Sequence, residues 1–289
     1  MKIAFCAHPK QPAAIEQRAA CSDWLDKQGI TSIDVDSNLL RIESEDLQQV
    51  IANNDDLSLV CALGGDGTIL RATRLAYAAK VPLLGVNFGN LGFLSGATAP
   101  ALYPALEAFL AGELHEDKRV MLEARASFSD GSKASYSALN EVILGRSDMG
   151  RVIVIDISVN DYPLPSPRGD GVIVATASGS TAYSLAAGGP LLTPENQGLC
   201  IVPLAAVGFN APALVSAPSD VIKLSARVSS EQHPLLCVDG QTLNTNGSNR
   251  HIDSVTISKA ERDMVLLRFD APDFYTRIAH SLAGGSHAR

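Results

Sequence analysis

Over the first 98 residues, short apolar runs alternate with longer stretches whose apolar positions recur at helical spacing. Residues 2–7, 32–35, 57–63 and 82–86 read as strands, and residues 13–28, 46–52 and 68–79 as helices. Strands separated by helices imply βαβ units and a parallel sheet. Near residue 120 the rhythm changes. Residues 121–129, 132–144, 151–159 and 171–175 are short, Ser- and Val-rich, and punctuated by Asp130-Gly131 and Asn160-Asp161, which predicts antiparallel β-structure. The β-rich part continues through residues 221–229, 234–238 and 254–258, and residues 274–283 read as a helix that returns to pack on the first domain. The expected fold is thus an α/β N-terminal domain with a parallel sheet, residues 1–98 plus about 265–289, and a β-rich, antiparallel, sandwich-like domain over 99–264. Residues 284–289 are expected to fray.

A chain of 289 residues suits two domains. Its 46% hydrophobic and 19% charged residues are ordinary globular usage. A formal net charge of −8 sets the whole-molecule field against nucleic acid and anionic membranes, although backbone amides and local arginines can still bind a phosphate. The five cysteines form no CxxC pair and no metal-ligand spacing. The N-terminus reads directly as a strand, without the apolar region of a signal peptide, and no stretch reaches the ~18 apolar residues of a membrane span, so a cytoplasmic location is expected.

The run 57–63 leads into Gly64-Gly65-Asp66-Gly67-Thr68 and then a helix carrying Arg71 and Arg74. Ligands of open α/β sheets bind at the carboxyl ends of strands, and adjacent glycines let backbone amides approach phosphate oxygens. Gly64, Gly65, Thr68 and Arg71 are therefore candidate phosphate contacts, and Asp66 a candidate base for a phosphoryl-accepting hydroxyl. Alone, these residues also suit a turn with an Asp cap. They are not a GxxxxGK[ST] loop, since no Gly-Lys pair occurs, nor a GxGxxG dinucleotide turn, which weakens a dehydrogenase reading.

The stretch from Arg168 to Pro190 joins a charge pair, a short strand, a hydroxyl-rich turn and a glycine pair. Ser178, Ser180 and Thr181 can donate to phosphate or ribose, Tyr183 offers a ring for stacking, and Asp170 can accept from a base amine or ribose hydroxyl. Asn140-Glu141 pairs an amide with a carboxylate, enough to hold a diol or a metal-bound water, although the dipeptide equally suits an ordinary strand end.

Taken in order, Gly64–Thr68, Asn87-Phe88-Gly89-Asn90-Leu91-Gly92-Phe93-Leu94, Asn140-Glu141 and residues 169–190 resemble the bacterial NAD kinases over most of the chain. The resemblance implies phosphoryl transfer from ATP, or in some members polyphosphate, to the adenosine 2′-hydroxyl of NAD. It implies Asp66 as base, Gly67 against the nicotinamide side, Asn140 and Glu141 on the adenosine ribose, and Arg151, Arg168 and Asp170 as further NAD contacts. Thr181, Ala182, Tyr183, Ser184, Leu185 and Ala186 would line the adenine pocket and Gln241 would bind late in the chain, while a divalent cation, most simply Mg²⁺, and a homodimer or homotetramer are further implications. Where the family commonly reads Thr-Pro-Thr-Gly this chain has Thr176-Ala177-Ser178-Gly179, and the tryptophan often found near the family's end is absent. Diacylglycerol and sphingosine kinases share the GGDGT turn and form one alternative; a non-catalytic NAD-binding regulator forms another.

Overall fold

The computed structural model describes residues 1–42, 45–89, 92–147, 151–208, 212–227, 233–243, 250–270 and 273–283. Two compact units result: Met1–Lys118 together with Met264–Arg289, and Arg119–Asp263.

The first unit is built on strands β1 (Lys2–Ala7), β2 (Thr31–Asp34), β3 (Leu57–Gly64) and β4 (Leu83–Asn87), parallel and ordered β2-β1-β3-β4. Short β5 (Ala97–Thr98) pairs with β4, and the sheet continues through β20 (Met264–Arg268), parallel to β4, to β6 (His115–Arg119). Nearly every residue of β3 is buried, as a central parallel strand requires. Helices α1 (Pro12–Asp26) and α4 (Leu102–Ala111) supply Ala14, Cys21, Leu25, Leu102, Ala105 and Leu106 to one core with Ile3, Phe5, Leu59, Leu63 and Leu84. α2 (Glu45–Ala52), α3 (Asp66–Ala79) and α6 (Phe274–Ala283) also belong to this unit, and α3 buries Ile69, Ala72, Leu75 and Ala76. The side chain of Ile69 packs where a Cβ on Gly85 would come within 2.7 Å, so the glycine lets α3 approach β4. The join between the units falls after residue 118, whereas the pattern of the chain divides it at residue 98. Residues 99–118 stay with the first unit because α4 buries its apolar face in that unit's core and β6 belongs to its sheet.

The second unit holds two sheets. One orders β11 (Tyr162–Leu164), β10 (Ile153–Val159), β16 (Ile222–Arg227), β19 (Ile252–Lys259), β7 (Leu122–Phe128) and β8 (Lys133–Ala138), with β12 (Arg168–Gly169) pairing β10. The other orders β15 (Leu214–Ser216), β14 (Leu199–Leu204), β13 (Gly171–Ala175), β9 (Glu141–Gly145), β17 (Leu235–Val238) and β18 (Gln241–Thr242). Every pairing is antiparallel. Asn160 and Asp161 both adopt left-handed conformations, φ 50° and 66°, and join β10 to β11 as the tight hairpin expected there. The single run expected over 132–144 is in fact two strands, β8 and β9, in different sheets. The ladder breaks at Leu139 and Asn140, whose amides turn to a side-chain carboxylate. Asn90, Leu91, residues 228–229 and the expected frayed end at 284–289 lie outside the described residues.

Candidate active site

In the first unit the GGDGT turn lies at the carboxyl end of β3, where a parallel sheet presents ligands to the following helix. The helix starts at Asp66, two residues ahead of the helix expected from pattern. Gly65 is its extended N-cap, and the carbonyl of Gly65 takes the amides of Thr68 and Ile69 at 2.9 and 3.2 Å. An acidic residue in the first turn is favoured by the helix dipole. The three glycines differ. A Cβ on Gly64 would lie 2.6 Å from Thr68 Oγ1, so Gly64 and Thr68, both buried, are packed together. Gly65 and Gly67 are exposed with open space around them, which leaves first-turn backbone accessible to an anion.

Asp66 is half-buried and its carboxylate is fixed by main chain: Oδ2 accepts the amide of Phe93 at 2.8 Å and Oδ1 that of Leu94 at 3.2 Å. Gly92 is required beside it, because a Cβ there would sit 2.0 Å from Oδ1. Two lone-pair positions of the carboxylate are thus used and others stay free to receive a proton. Arg71 is exposed, with Nη1 3.4 Å from Asn38 Oδ1, while Arg74 donates to the carbonyl of Leu40 at 3.2 Å and anchors that loop. Asn87, at the end of β4, exchanges hydrogen bonds with the backbone of Gly89 and borders a cleft of about 540 Å³ with Gln17, Phe88, Thr98 and Pro100.

In the second unit, Glu141 begins β9, Asn140 immediately precedes it, and both are buried. They are held by Asp239, whose Oδ1 accepts the amides of Asn140 (2.8 Å) and Glu141 (3.1 Å) while Oδ2 accepts that of Leu139 (2.8 Å). Asp239 and Gly240 have φ of 47° and 71° and turn β17 into β18, so an Asp-Gly hairpin delivers the carboxylate. Burial, reinforced by the Asp239 charge, pushes the Glu141 carboxyl up to about 8. Asn140 Oδ1 and Glu141 Oε2 are buried without hydrogen-bond partners. Two such acceptors side by side are costly unless a ligand completes them. Asp239 is one of the residues that sequence reasoning missed. Its turn is legible as Asp-Gly, but its partners lie about a hundred positions away.

The Thr176–Gly179 turn closes on the same residues. Thr176 donates its amide to Asn140 O at 2.9 Å and its hydroxyl to Leu139 O at 2.5 Å, and a Cβ on Gly179 would lie 2.1 Å from Asn140 O. The hydroxyls nearby are engaged within the protein. Arg119 donates to Ser178 Oγ at 3.1 Å, Ser180 donates to Ala177 O at 2.7 Å while accepting from the Leu192 amide at 3.0 Å, and Thr181 donates to Ser178 O at 3.0 Å. Ser178 keeps its own hydroxyl proton available. Tyr183 opens the short helix α5 (Tyr183–Ala186) and is half exposed, Ala186 is exposed, Thr181, Ala182 and Leu185 are partly buried, and Ser184 is buried. Asp170 is gripped in two places by Arg146, Nε to Oδ1 at 2.7 Å and Nη2 to Oδ2 at 3.1 Å. Arg146 ends where β9 meets β13, a cross-strand partner that spacing does not reveal. Arg151 and Arg168 are exposed, and Gln241 lies in β18 opposite Val238.

Among the described residues no three His, Cys, Asp or Glu side chains gather as a metal cage, and no helix is long and apolar enough to cross a membrane. Burial raises the thiols of Cys6 to about 12 and Cys21 to about 11, so neither is a nucleophile at neutral pH.

The family model of the ATP-NAD kinase N-terminal domain matches residues 3–114, and that of the ATP-NAD kinase C-terminal domain residues 139–269. An NAD kinase of Chloroflexus aggregans is 35% identical, with 97% of this chain and 98% of the relative covered. An NAD kinase of Methanothermobacter thermautotrophicus is 33% identical, with 99% and 97% covered. Yeast NADH kinase complexed with NADH shares the fold with a TM-score of 0.82 at 20% identity, covering 100% of this chain and 89% of that one. An NAD kinase from Archaeoglobus fulgidus in complex with ATP gives 0.69 at 22% identity, covering 96% and 99%. With both domain models matched in order and relatives about a third identical from end to end, the chain belongs to the NAD kinase family.

Proposed function

We propose that this protein transfers the γ-phosphoryl group of ATP to the adenosine 2′-hydroxyl of NAD, giving NADP and ADP. The observation that carries the reading is Asp66, a carboxylate fixed by two backbone amides at the head of a helix in the turn that follows β3. As the ribose oxygen bonds to the γ-phosphorus and the bond to the β–γ bridging oxygen breaks, Asp66 takes the hydroxyl proton. Such transfer depends on positioning and charge neutralisation more than on covalent chemistry. Gly65 and Gly67 offer open backbone to phosphate oxygens, with Arg71 exposed on the same helix. Gly64 and Thr68 shape the turn.

Asn140 and Glu141 are assigned to the adenosine ribose, whose hydroxyls would satisfy Asn140 Oδ1 and Glu141 Oε2. Gly67, Arg151, Arg168, Asp170, Ser178, Gln241 and the row from Thr181 to Ala186 are assigned to the rest of NAD, with the exposed ring of Tyr183 available for stacking. The reading includes a divalent cation, Mg²⁺ by the hardness of the available oxygen donors, and the lone pairs that Asp66 keeps free beside its two amide contacts fit such an ion. Glu141 or Asp66 would hold it directly or through water, most of its ligands being nucleotide phosphates. Bound there, it would neutralise charge on the transferring phosphoryl group. Family likeness alone supports a cytoplasmic location and a homodimer or homotetramer, and light scattering on the purified protein tests the oligomeric state. An enzyme-coupled assay for NADP decides the activity: incubation with ATP or polyphosphate and NAD should yield NADP. Product only from a lipid head-group alcohol, or none from NAD, would overturn the reading.

A further inference from the structure

The amides that grip Asp66 belong to a strap of backbone, residues 92–95, whose opposite edge is gripped by two arginines from the far end of the chain. Arg277, in α6 (Phe274–Ala283), donates from Nη1 to Gly92 O and from Nη2 to Ser95 O, the latter at 2.7 Å. Arg268, in β20, donates from Nη1 to Leu94 O at 3.1 Å and to Ser95 O, and from Nη2 to Phe93 O at 3.4 Å. Its own orientation is set by Asp117, which it meets through Nε at 2.8 Å and Nη2 at 2.7 Å.

The pairing is peptide by peptide. Gly92 O and the Phe93 amide are opposite ends of one planar trans peptide, as are Phe93 O and the Leu94 amide. Arg277 therefore fixes the plane whose N–H meets Asp66 Oδ2, and Arg268 the plane whose N–H meets Oδ1. A rigid plane held at its carbonyl cannot swing its amide, and a cationic donor on the carbonyl polarises the amide toward the acceptor. The arrangement is built inside the unit: Arg277 is 5% exposed, and the ring of Phe274 packs 6.4 Å from that of Phe93.

We propose that Arg268 and Arg277 are positioning residues for phosphoryl transfer, setting the Asp66 carboxylate through the backbone of residues 92–95. This rests on Asp66 being the base, as argued above. The test is a double-mutant cycle with steady-state kinetics. Arg277→Gln should lower kcat by about 10- to 100-fold, the scale of an ångström-sized misplacement, while KM for NAD and ATP stays within about twofold and the circular dichroism spectrum is unchanged. Combined with Asp66→Asn it should add almost nothing, since two residues acting through one group are not additive. Arg277→Lys keeps the buried charge but lacks the planar fork that holds the two carbonyls from separate nitrogens, and should give an intermediate kcat. That variant carries the test if the Gln variant does not fold. A folded Arg277 variant with normal kcat, or one whose loss multiplies with that of Asp66→Asn, overturns the inference. Normal turnover in Asp66→Asn alone overturns the assignment of the base instead.

Discussion

Both units use the same device, a carboxylate gripped by consecutive backbone amides, but they put it to opposite uses. In the first, the gripped group is Asp66, the residue assigned to the chemistry, and the amides of Phe93 and Leu94 are the tool. In the second, the gripping carboxylate is Asp239, which serves as the tool, while Asn140 and Glu141, the pair assigned to ribose binding, lend it only their amides. The difference shows in the side chains. Asp66 has its hydrogen bonds made in advance, whereas Asn140 and Glu141 keep buried oxygens unpartnered. A base must hold one position during a reaction. A binding pair is completed by what it binds, and its unpaired oxygens penalise any ligand without matching donors.

The comparison breaks most visibly at Asp66. Asp66→Asn keeps the amide contacts at one oxygen and should reduce kcat by ~10²–10⁴-fold with little change in NAD affinity, as rapid-quench turnover and NAD titration would measure. Near-normal turnover removes the base. Gly92→Ala comes next: its new Cβ collides with Oδ1, and a displacement near an ångström should cost on the order of 100-fold in kcat. An alanine variant that turns over normally means the carboxylate need not lie where it does. Asp239→Asn weakens three charge-assisted bonds of the second unit, and denaturant melts should show a loss of about 1–3 kcal/mol with a raised KM for NAD. If stability falls and KM does not move, Asp239 supports the fold without orienting Asn140 and Glu141.

The last test concerns Glu141 and reads ligand-free stability alone. Its carboxyl is raised from 4.5 to about 8, so between those values the folded protein holds a proton that the unfolded chain has lost. Ligand-free stability should therefore decline as pH rises through that window and level off above about 8. Glu141→Gln, which has no proton to lose, should flatten the melting temperature between pH 5 and pH 8. Superimposable curves for the two proteins would contradict the burial argument.

What the chain's pattern made legible was local. β3, the GGDG turn and α3 follow one another in sequence and space, and Phe274–Ala283 shows its apolar stripe as a helix does. What escaped is paired across distance. β20 is five residues, MVLLR, that read as any apolar run until β4 and β6 flank it. Asp239, Arg146, Arg268 and Arg277 are ordinary charged residues locally, and each acquires its role from backbone or a carboxylate tens to hundreds of positions away. The hydroxyls of residues 178–181 were visible as candidate donors, but spacing cannot say whether a serine faces a ligand or closes its own turn, as Ser180 does.

The first unit is discontinuous, and that sets an order of events during synthesis. When residue 118 has been made, β1 to β4 are ready to pair, but β20 is not yet translated. Residues 119–263 intervene, which at ~5–20 residues per second is a delay on the order of ten seconds. Through that interval the stretch of β4 that β20 will occupy is an open strand edge, the kind of surface on which nascent chains aggregate and chaperones act. The second unit, contiguous in sequence, can finish folding first. Asp66, made among the earliest residues, thus becomes braced only after Arg277 has been added, so the chain ripens as a catalyst from its C-terminus.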